Sequence, residues 1–562
     1  MKFSEYKYER PDYEAIKEEV KSLIHTLEGA KSAEEQIDVI YKVNQILELI
    51  DTMVALSYIR RSLNTKDAFY NDENDYWDEQ DPVYEALFNG YYKVLSKSAF
   101  RVEIEQHFGK QFFVGVDCEV RSMSPEIVEE LQEENKLQSQ YEELIAEALI
   151  DFNGEKLTLP ALGKYAEDED RMVREAASNA RYQFFAQHED VLDQIFDKLV
   201  KVRTKMAKKL GFDNFVELGY LRMQRAYTPQ AVEMFRGQVL THIVPVVSSL
   251  FEAQRKRLGY DELRYFDIGF KYLTGNATPK GDPEWILKQG VKMYHEMSPE
   301  TAKFIDYMME SDLFDVMGRP NKMDSGYCYT IENYQAPFIF ANFNGTKGDI
   351  DVLTHEVGHA FQARSSRHIE LGALRETTAD VSEIHSMSME FFAWPWMESF
   401  FKEDTKKYKH AHLSGAVEFI PYGVVVDAYQ HVIYANPELT PTQRKAAWRK
   451  LEKAYLPHKN YEGCDYLERG NWWHQQSHIF TDPFYYIDYV LAQICALQFW
   501  KSMHDDQEAA WHDYVRVCQV GGTMSFPELV AYGNLKSPFE AGCVSSVITK
   551  IKDWLDQNED VE

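Results

Sequence analysis

A mostly α-helical protein of two or more lobes, with one short β segment just ahead of a helix carrying metal-binding residues, is the fold class this sequence predicts. Three observations support it. From residue 12 to about residue 270, apolar side chains recur at helical spacing in run after run. Gln335 to Gly345 departs from that pattern, being bounded by proline and glycine and rich in strand formers. A chain of 562 residues and 65.6 kDa is too long for one compact core.

In chain order, Ser32-Ala33-Glu34-Glu35 is a capping box opening a run with apolar Ile37, Ile40, Val43, Ile46, Leu47 and Ile50. Asp67 to Asp81, acidic and aromatic, reads as a surface loop, and Phe152-Asn153-Gly154 and Leu273 through Pro283 read as turn-rich breaks. Asp190 opens a further helix, with Val191, Leu192, Ile195, Phe196, Leu199, Val202 and Met206 inward until Leu210-Gly211 stops it. A lobe boundary is placed near residue 200, between an N-terminal helical lobe (1–200) and a larger helical lobe (201–562) that holds the β segment and the metal motif. The strand within Gln335–Gly345 has a use beside such a motif. An extended peptide could add to its edge by backbone hydrogen bonds, with Phe340, Ala341, Asn342 and Gly345 as candidate contacts.

Asp349 to Gln362 is helix-compatible and contains His355-Glu356-Val357-Gly358-His359, the H-E-x-x-H arrangement. One helical turn apart, the two imidazoles leave the same face and can grip one tetrahedral zinc ion, while Glu356 is placed to take a proton from water as general base in peptide hydrolysis. The longer motif H-E-x-x-H-x-x-G-x-x-H is excluded, because Gln362 and Ser365 stand where it needs glycine and histidine. A catalytic zinc needs a third protein ligand. Downstream candidates are His368, Glu370, Glu376, Asp380, Glu383 and Glu390, and Thr377–Phe392 reads as a second helix with Asp380, Glu383, Met387 and Glu390 on one face. Spacing does not choose among these acids. Farther on, in His478–Tyr489, Tyr486 and Tyr489 share a face at the start of a helix after Pro483. Phenols and an imidazole suit an oxyanion, at roughly 3 kcal/mol per donor.

The run His355–Ala360 followed by Glu376–Phe391 resembles the thimet oligopeptidase family of zinc peptidases, and most closely its oligoendopeptidase F and Pz-peptidase branch. The resemblance implies Glu383 as third ligand of one zinc ion, Glu390 and Asp351 as partners that each hold an imidazole, and His478, Tyr486 and Tyr489 as oxyanion donors. Where the thimet branch has a glycine-rich loop, this chain has Thr481-Asp482-Pro483-Phe484, and its histidine-to-tyrosine spacing is one residue shorter. The resemblance further implies two helical lobes around a deep channel with zinc at its floor, admitting short flexible peptides and excluding folded proteins.

A net charge of −30, from 91 acidic and 61 basic side chains, disfavours a nucleic-acid partner, which needs a basic face. Six scattered cysteines suit reduced thiols, the N-terminus has no apolar leader, and no uncharged apolar run is long enough to span a bilayer. These features predict a cytoplasmic protein without a membrane partner. No feature specifies an oligomeric state. The function expected is a zinc-dependent endopeptidase of short oligopeptides. Its rivals are a zinc carboxypeptidase or dipeptidyl carboxypeptidase and a non-catalytic helical peptide-binding protein.

Overall fold

The helical periodicity becomes helix in the computed structural model, which describes residues 1–323 and 325–559 and is 71% helical. Ser32 caps Ala33–Leu63 by accepting the Glu35 N–H at 3.3 Å, while the Glu35 carboxylate turns back to the Lys31 N–H at 2.6 Å. From the predicted stripe Ile40, Val43, Ile46 and Ile50 are buried. Glu189–Lys209 buries Leu192, Ile195, Phe196, Leu199, Val202 and Met206, whereas Val191 lies on its outer face. It ends where Gly211 takes φ +87°, with the N–H groups of Gly211 and Phe212 bonded back to Lys208 and Ala207.

One expectation changes. Asp67–Asp81 is not a loop: Asp67 accepts the N–H groups of Phe69 and Tyr70 and starts helix Ala68–Leu95, which buries Trp77 and Tyr84 and leaves Asp72, Asp75 and Glu79 in solvent. Most of the acidic run is that helix's outer face, while Glu73 turns inward to Arg10 and Tyr8. Residue 200, expected near a lobe boundary, lies inside Glu189–Lys209, whose buried face belongs to the large hydrophobic core. The smaller core draws instead on side chains between Ile16 and Val116, joined by Leu371 and Leu374.

Among the described residues five short strands interrupt the helices. The break at Asn153-Gly154 is a hairpin: β1 (Ile150–Phe152) pairs with β2 (Glu155–Leu157), and both turn residues take positive φ, +53° and +84°, as a tight two-residue hairpin demands. The other three strands form one sheet. These are β3 (Phe314–Met317), β4 (Tyr327–Ile331) and β5 (Ala336–Phe343), in the order β3-β5-β4. β3 runs parallel to β5, and β4 antiparallel to it with Tyr327 opposite Phe340 and Ile331 opposite Ala336. The run Pro337-Phe338-Ile339-Phe340-Ala341 is apolar without alternation because β5 is the middle strand, buried on both faces. β5 then leads into helix Lys347–Ser365, which carries the H-E-x-x-H residues. No helix among the described residues is long and apolar enough to cross a membrane.

Candidate active site and metal centre

The turn between β5 and the helix Lys347–Ser365 is held by Asp349, whose carboxylate accepts the N–H groups of Asn344 (3.0 Å) and Gly345 (2.7 Å). Gly345 sits there with φ +88°, a conformation suited to glycine, so its role is to aim the helix. From that helix His355 and His359 project one turn apart, with ring centroids 5.0 Å from each other. The second helix, Ala379–Phe392, brings Glu383 against them. Its Oε2 lies 3.3 Å from His355 Nε2 and 3.5 Å from His359 Nε2.

This close approach depends on Gly358. A Cβ at that position would stand 2.6 Å from Ser386 Cα and 2.7 Å from the His385 carbonyl oxygen, so only glycine lets the helices touch here. The resulting donor set fits a zinc ion: the ligand atoms of His355, His359 and Glu383 all lie within 4.8 Å of one another. The Nε2–Oε2 spacings match the edge, about 3.4 Å, of a tetrahedron with bonds of about 2.1 Å.

The far sides of the ligands are also fixed. His355 Nδ1 donates to Glu390 Oε1 at 2.8 Å, which leaves its Nε2 lone pair toward the metal position. Glu390 Oε2 meets His412 Nε2 at 2.9 Å, and His412 Nδ1 accepts from Trp394 Nε1, so His412 must carry its proton on Nε2. Burial alone would raise the Glu390 carboxyl, but the bonds to His355 and His412 hold it at about 2. His359 Nδ1 is met by Ser382 Oγ at 3.1 Å. Asp351, expected to hold an imidazole, does not. Its carboxylate takes Tyr408 Oη at 2.7 Å and Lys347 Nζ at 3.1 Å, because it points along its own helix face toward Lys347 and the long helix Thr405–Ala435.

Glu356 shares with His355, His359 and Glu383 a cavity of about 400 Å³, where burial pushes its carboxyl up against the opposing pull of His355 and His359. Across the cavity stands the helix Tyr486–Asp505, anchored by buried Asp488 on Arg225 (2.7 Å) and Tyr227 (3.1 Å). Tyr489 lines the cavity. Its Oη is 3.3 Å from Nε2 of His478, whose Nδ1 accepts from the Gln476 amide at 3.0 Å.

Tyr486 is turned away, packed against Phe419 and Tyr422, and Tyr485 takes the place foreseen for it. The cause is Phe484, with φ +71°, which rotates the entry to the helix so that Tyr485 and Tyr489, four apart, share the cavity face. Tyr485 Oη donates to Glu383 Oε1 at 2.7 Å, leaving Oε2 for the imidazole side.

The strand contacts also need correction. Phe340 lies in the middle strand, opposite Asp315 of β3 and Tyr327 of β4, and has no free edge to offer; Ala341 and Asn342 follow it past the end of β4. Phe340 is stacked against Tyr327, and the Asn342 amide donates to the carbonyls of Met323 and Ser325. The edge on the cavity is β4, through Tyr327, Cys328, Tyr329 and Thr330. Its sequence signal was a run of strand formers, Tyr-Cys-Tyr-Thr-Ile, too short to stand out. Ser382 directly precedes Glu383, and the i,i+4 spacing of Tyr485 and Tyr489 was legible, whereas nothing local marks His412.

Models of two families match the chain: the peptidase M3 N-terminal domain over residues 3–123 and peptidase family M3 over residues 164–546. The chain belongs to peptidase family M3. This M3 chain is similar throughout to a solved structure described as Pz peptidase A with inhibitor 2, with 51% identity, a TM-score of 0.97 and 100% of both chains covered. It is likewise similar to a putative oligoendopeptidase F from Bacillus anthracis str. Ames, with 50% identity, a TM-score of 0.92 and 99% and 98% covered. Oligopeptidase PepF of Bacillus subtilis (strain 168) is 20% identical over 482 residues, 79% of this chain and 70% of PepF. Membership of M3 makes the protein a peptide-hydrolysing metallopeptidase.

Proposed function

We propose that this peptidase is a zinc-dependent endopeptidase that cuts internal bonds of short oligopeptides, with His355, His359 and Glu383 holding one zinc ion. The observation that carries the proposal is the convergence of two Nε2 atoms and one carboxylate oxygen at tetrahedral-edge spacing, in a cavity that also contains Glu356 and the free edge of β4. A zinc ion bound there supplies Lewis acidity, lowering the pKa of a water and polarising the scissile carbonyl.

The chain's own residues account for the rest. β4 receives the peptide as an added strand and sets its carbonyl over the cavity without demanding particular side chains. Glu356, its proton affinity raised by burial, takes the proton of the attacking water and returns it to the leaving amine. Tyr489 donates to the developing oxyanion, oriented by His478, whose tautomer is fixed by Gln476. Tyr485 and Glu390 hold Glu383 and His355 in place. The names of the similar proteins, oligopeptidase and oligoendopeptidase, support the substrate class. Six free thiols support a cytoplasmic site of action.

Glu356→Gln should retain stoichiometric zinc and lose turnover of an internally quenched peptide by at least about a hundredfold. A near-normal rate in that variant would refute the assignment. Cleavage of a C-terminally amidated peptide at an internal bond excludes a carboxypeptidase.

A further inference from the structure

We propose that a second cavity, behind the tyrosine cluster, binds the free α-carboxylate of the peptide, with Lys459 as the charge that recognises it. The inference deepens the oligopeptidase reading and rests on it.

The cavity measures about 470 Å³, and its wall includes Arg181, Lys459, Trp472, Tyr422, Gln475 and Gln476. In a chain of net charge −30, neither cation of this wall has a carboxylate partner among the described residues. Lys459 Nζ lies 3.7 Å over the Trp472 ring. Arg181 is satisfied only by neutral oxygens, Gln475 Oε1 at 3.1 Å and the Leu159 carbonyl at 3.4 Å. The one acid on this wall, Glu418, is committed to Lys271 at 2.6 Å. His458, also on the wall, is stacked on Phe251 at 3.8 Å and kept neutral by burial. Burial lowers the Lys459 ammonium to about 8, against the pull of Glu452, and the side chain stands half-buried on the cavity wall. An aromatic plate under an ammonium, with amide and phenol groups beside it, suits a small planar anion.

One layer of side chains joins this cavity to the metal cavity. Tyr422 Oη donates to Gln476 Oε1 at 2.7 Å, and Gln476 Nε2 meets His478 Nδ1, which orients Tyr489. Phe419 lines the carboxylate cavity and packs its ring against Tyr489. The proposal sets the C-terminal end of a peptide cut beside Tyr489 at Lys459, on the far side of this layer. The separation would favour substrates with a set number of residues after the scissile bond, and an α-carboxylate is the anion every such peptide carries.

The test uses the full chain with Glu356→Gln, so that peptides bind without being consumed. Dissociation constants are measured for a length series of peptides with neutral side chains, each as free acid and as C-terminal amide. We expect the acid to bind about tenfold or more tightly at one or two lengths, the advantage vanishing in Lys459→Gln and returning in part in Lys459→Arg. Equal binding of acid and amide at every length would overturn the proposal, and that comparison needs no pocket variant to fold. An amidated peptide ending in glutamate that binds as tightly as the acid would overturn the α-carboxylate assignment. Turnover of a quenched peptide by the unsubstituted protein is measured alongside. Cleavage with no acid preference sinks this pocket alone; absence of cleavage sinks the functional reading, and the binding series still decides the pocket.

Discussion

Replacing Gly358 with alanine probes the contact that brings together the two helices carrying the proposed zinc ligands. The new Cβ would stand 2.6 Å from Ser386 Cα, 2.7 Å from the His385 carbonyl oxygen and 3.0 Å from Met389 Cβ. Carbon atoms rest at about 3.6 Å, so the helices Lys347–Ser365 and Ala379–Phe392 must part by about 1 Å at this point. Two of the three collisions are with backbone, which has no rotamer to yield. The spacings of 3.3 and 3.5 Å from Glu383 Oε2 to the imidazoles would widen with the helices, and a zinc site tolerates only about 0.2 Å per bond. Overpacking costs about 1–3 kcal/mol, opposed by about 1 kcal/mol of helix propensity gained on losing a glycine. If metal binding absorbs the difference of about 0–2 kcal/mol, zinc affinity falls by up to about 30-fold. Competition with a chromogenic chelator gives the affinity, and thermal melts of metal-free and zinc-loaded protein show where the cost lands. Unchanged affinity together with an unchanged melting temperature would refute the argument, because the collision would then have been relieved without moving the ligands.

Further outcomes follow from individual contacts. Tyr485→Phe removes the hydroxyl on Glu383 Oε1 and should weaken zinc by about tenfold in the same competition assay. Asp351→Asn should leave zinc affinity within about threefold and lower thermal stability by about 1 kcal/mol, since that carboxylate bonds Tyr408 and Lys347 rather than an imidazole; a large affinity loss would contradict the placement. Glu189 is pushed up by burial, but Arg469 and Lys445 hold it down at about 2. Its folded pKa is below the unfolded value near 4.5, so its contribution is present above pH 4.5 and lost as pH falls toward 2. Melting curves of Glu189→Gln should therefore converge on those of the unsubstituted protein through that window.

Residues whose signal is local were legible in the sequence. His355, Glu356 and His359 declare themselves by helical spacing, and the inward faces of the helices by periodicity, because each depends on neighbours within a few positions. Glu383 needed the resemblance: spacing left six candidates, and which acid reaches the metal position depends on how close Gly358 lets two helices come. The exchange of Tyr486 for Tyr485 turned on one dihedral at Phe484, a non-glycine residue at φ +71° held by bonds from its N–H to Gln430 and from Arg225 to its carbonyl. β5 was read correctly as a strand and wrongly as an edge, since an unalternating apolar run is the mark of a strand covered on both sides. Asp67–Asp81 was misread because acid content resembles a loop when the capping residue in front of it is overlooked. His412 comes from a distant part of the chain and left no local mark, and the run that forms β4 was too short to stand out.

The open side of β4 would be hazardous on an outer surface. Unpaired backbone groups in a row invite another copy's sheet, the first step toward aggregation. Here that row faces inward, on the wall of a cavity of about 400 Å³. A second folded molecule is too bulky to bring its own sheet alongside, while a lone extended segment fits. One recess thus shields the row from another copy's sheet, and under the proposed function the same row receives the peptide.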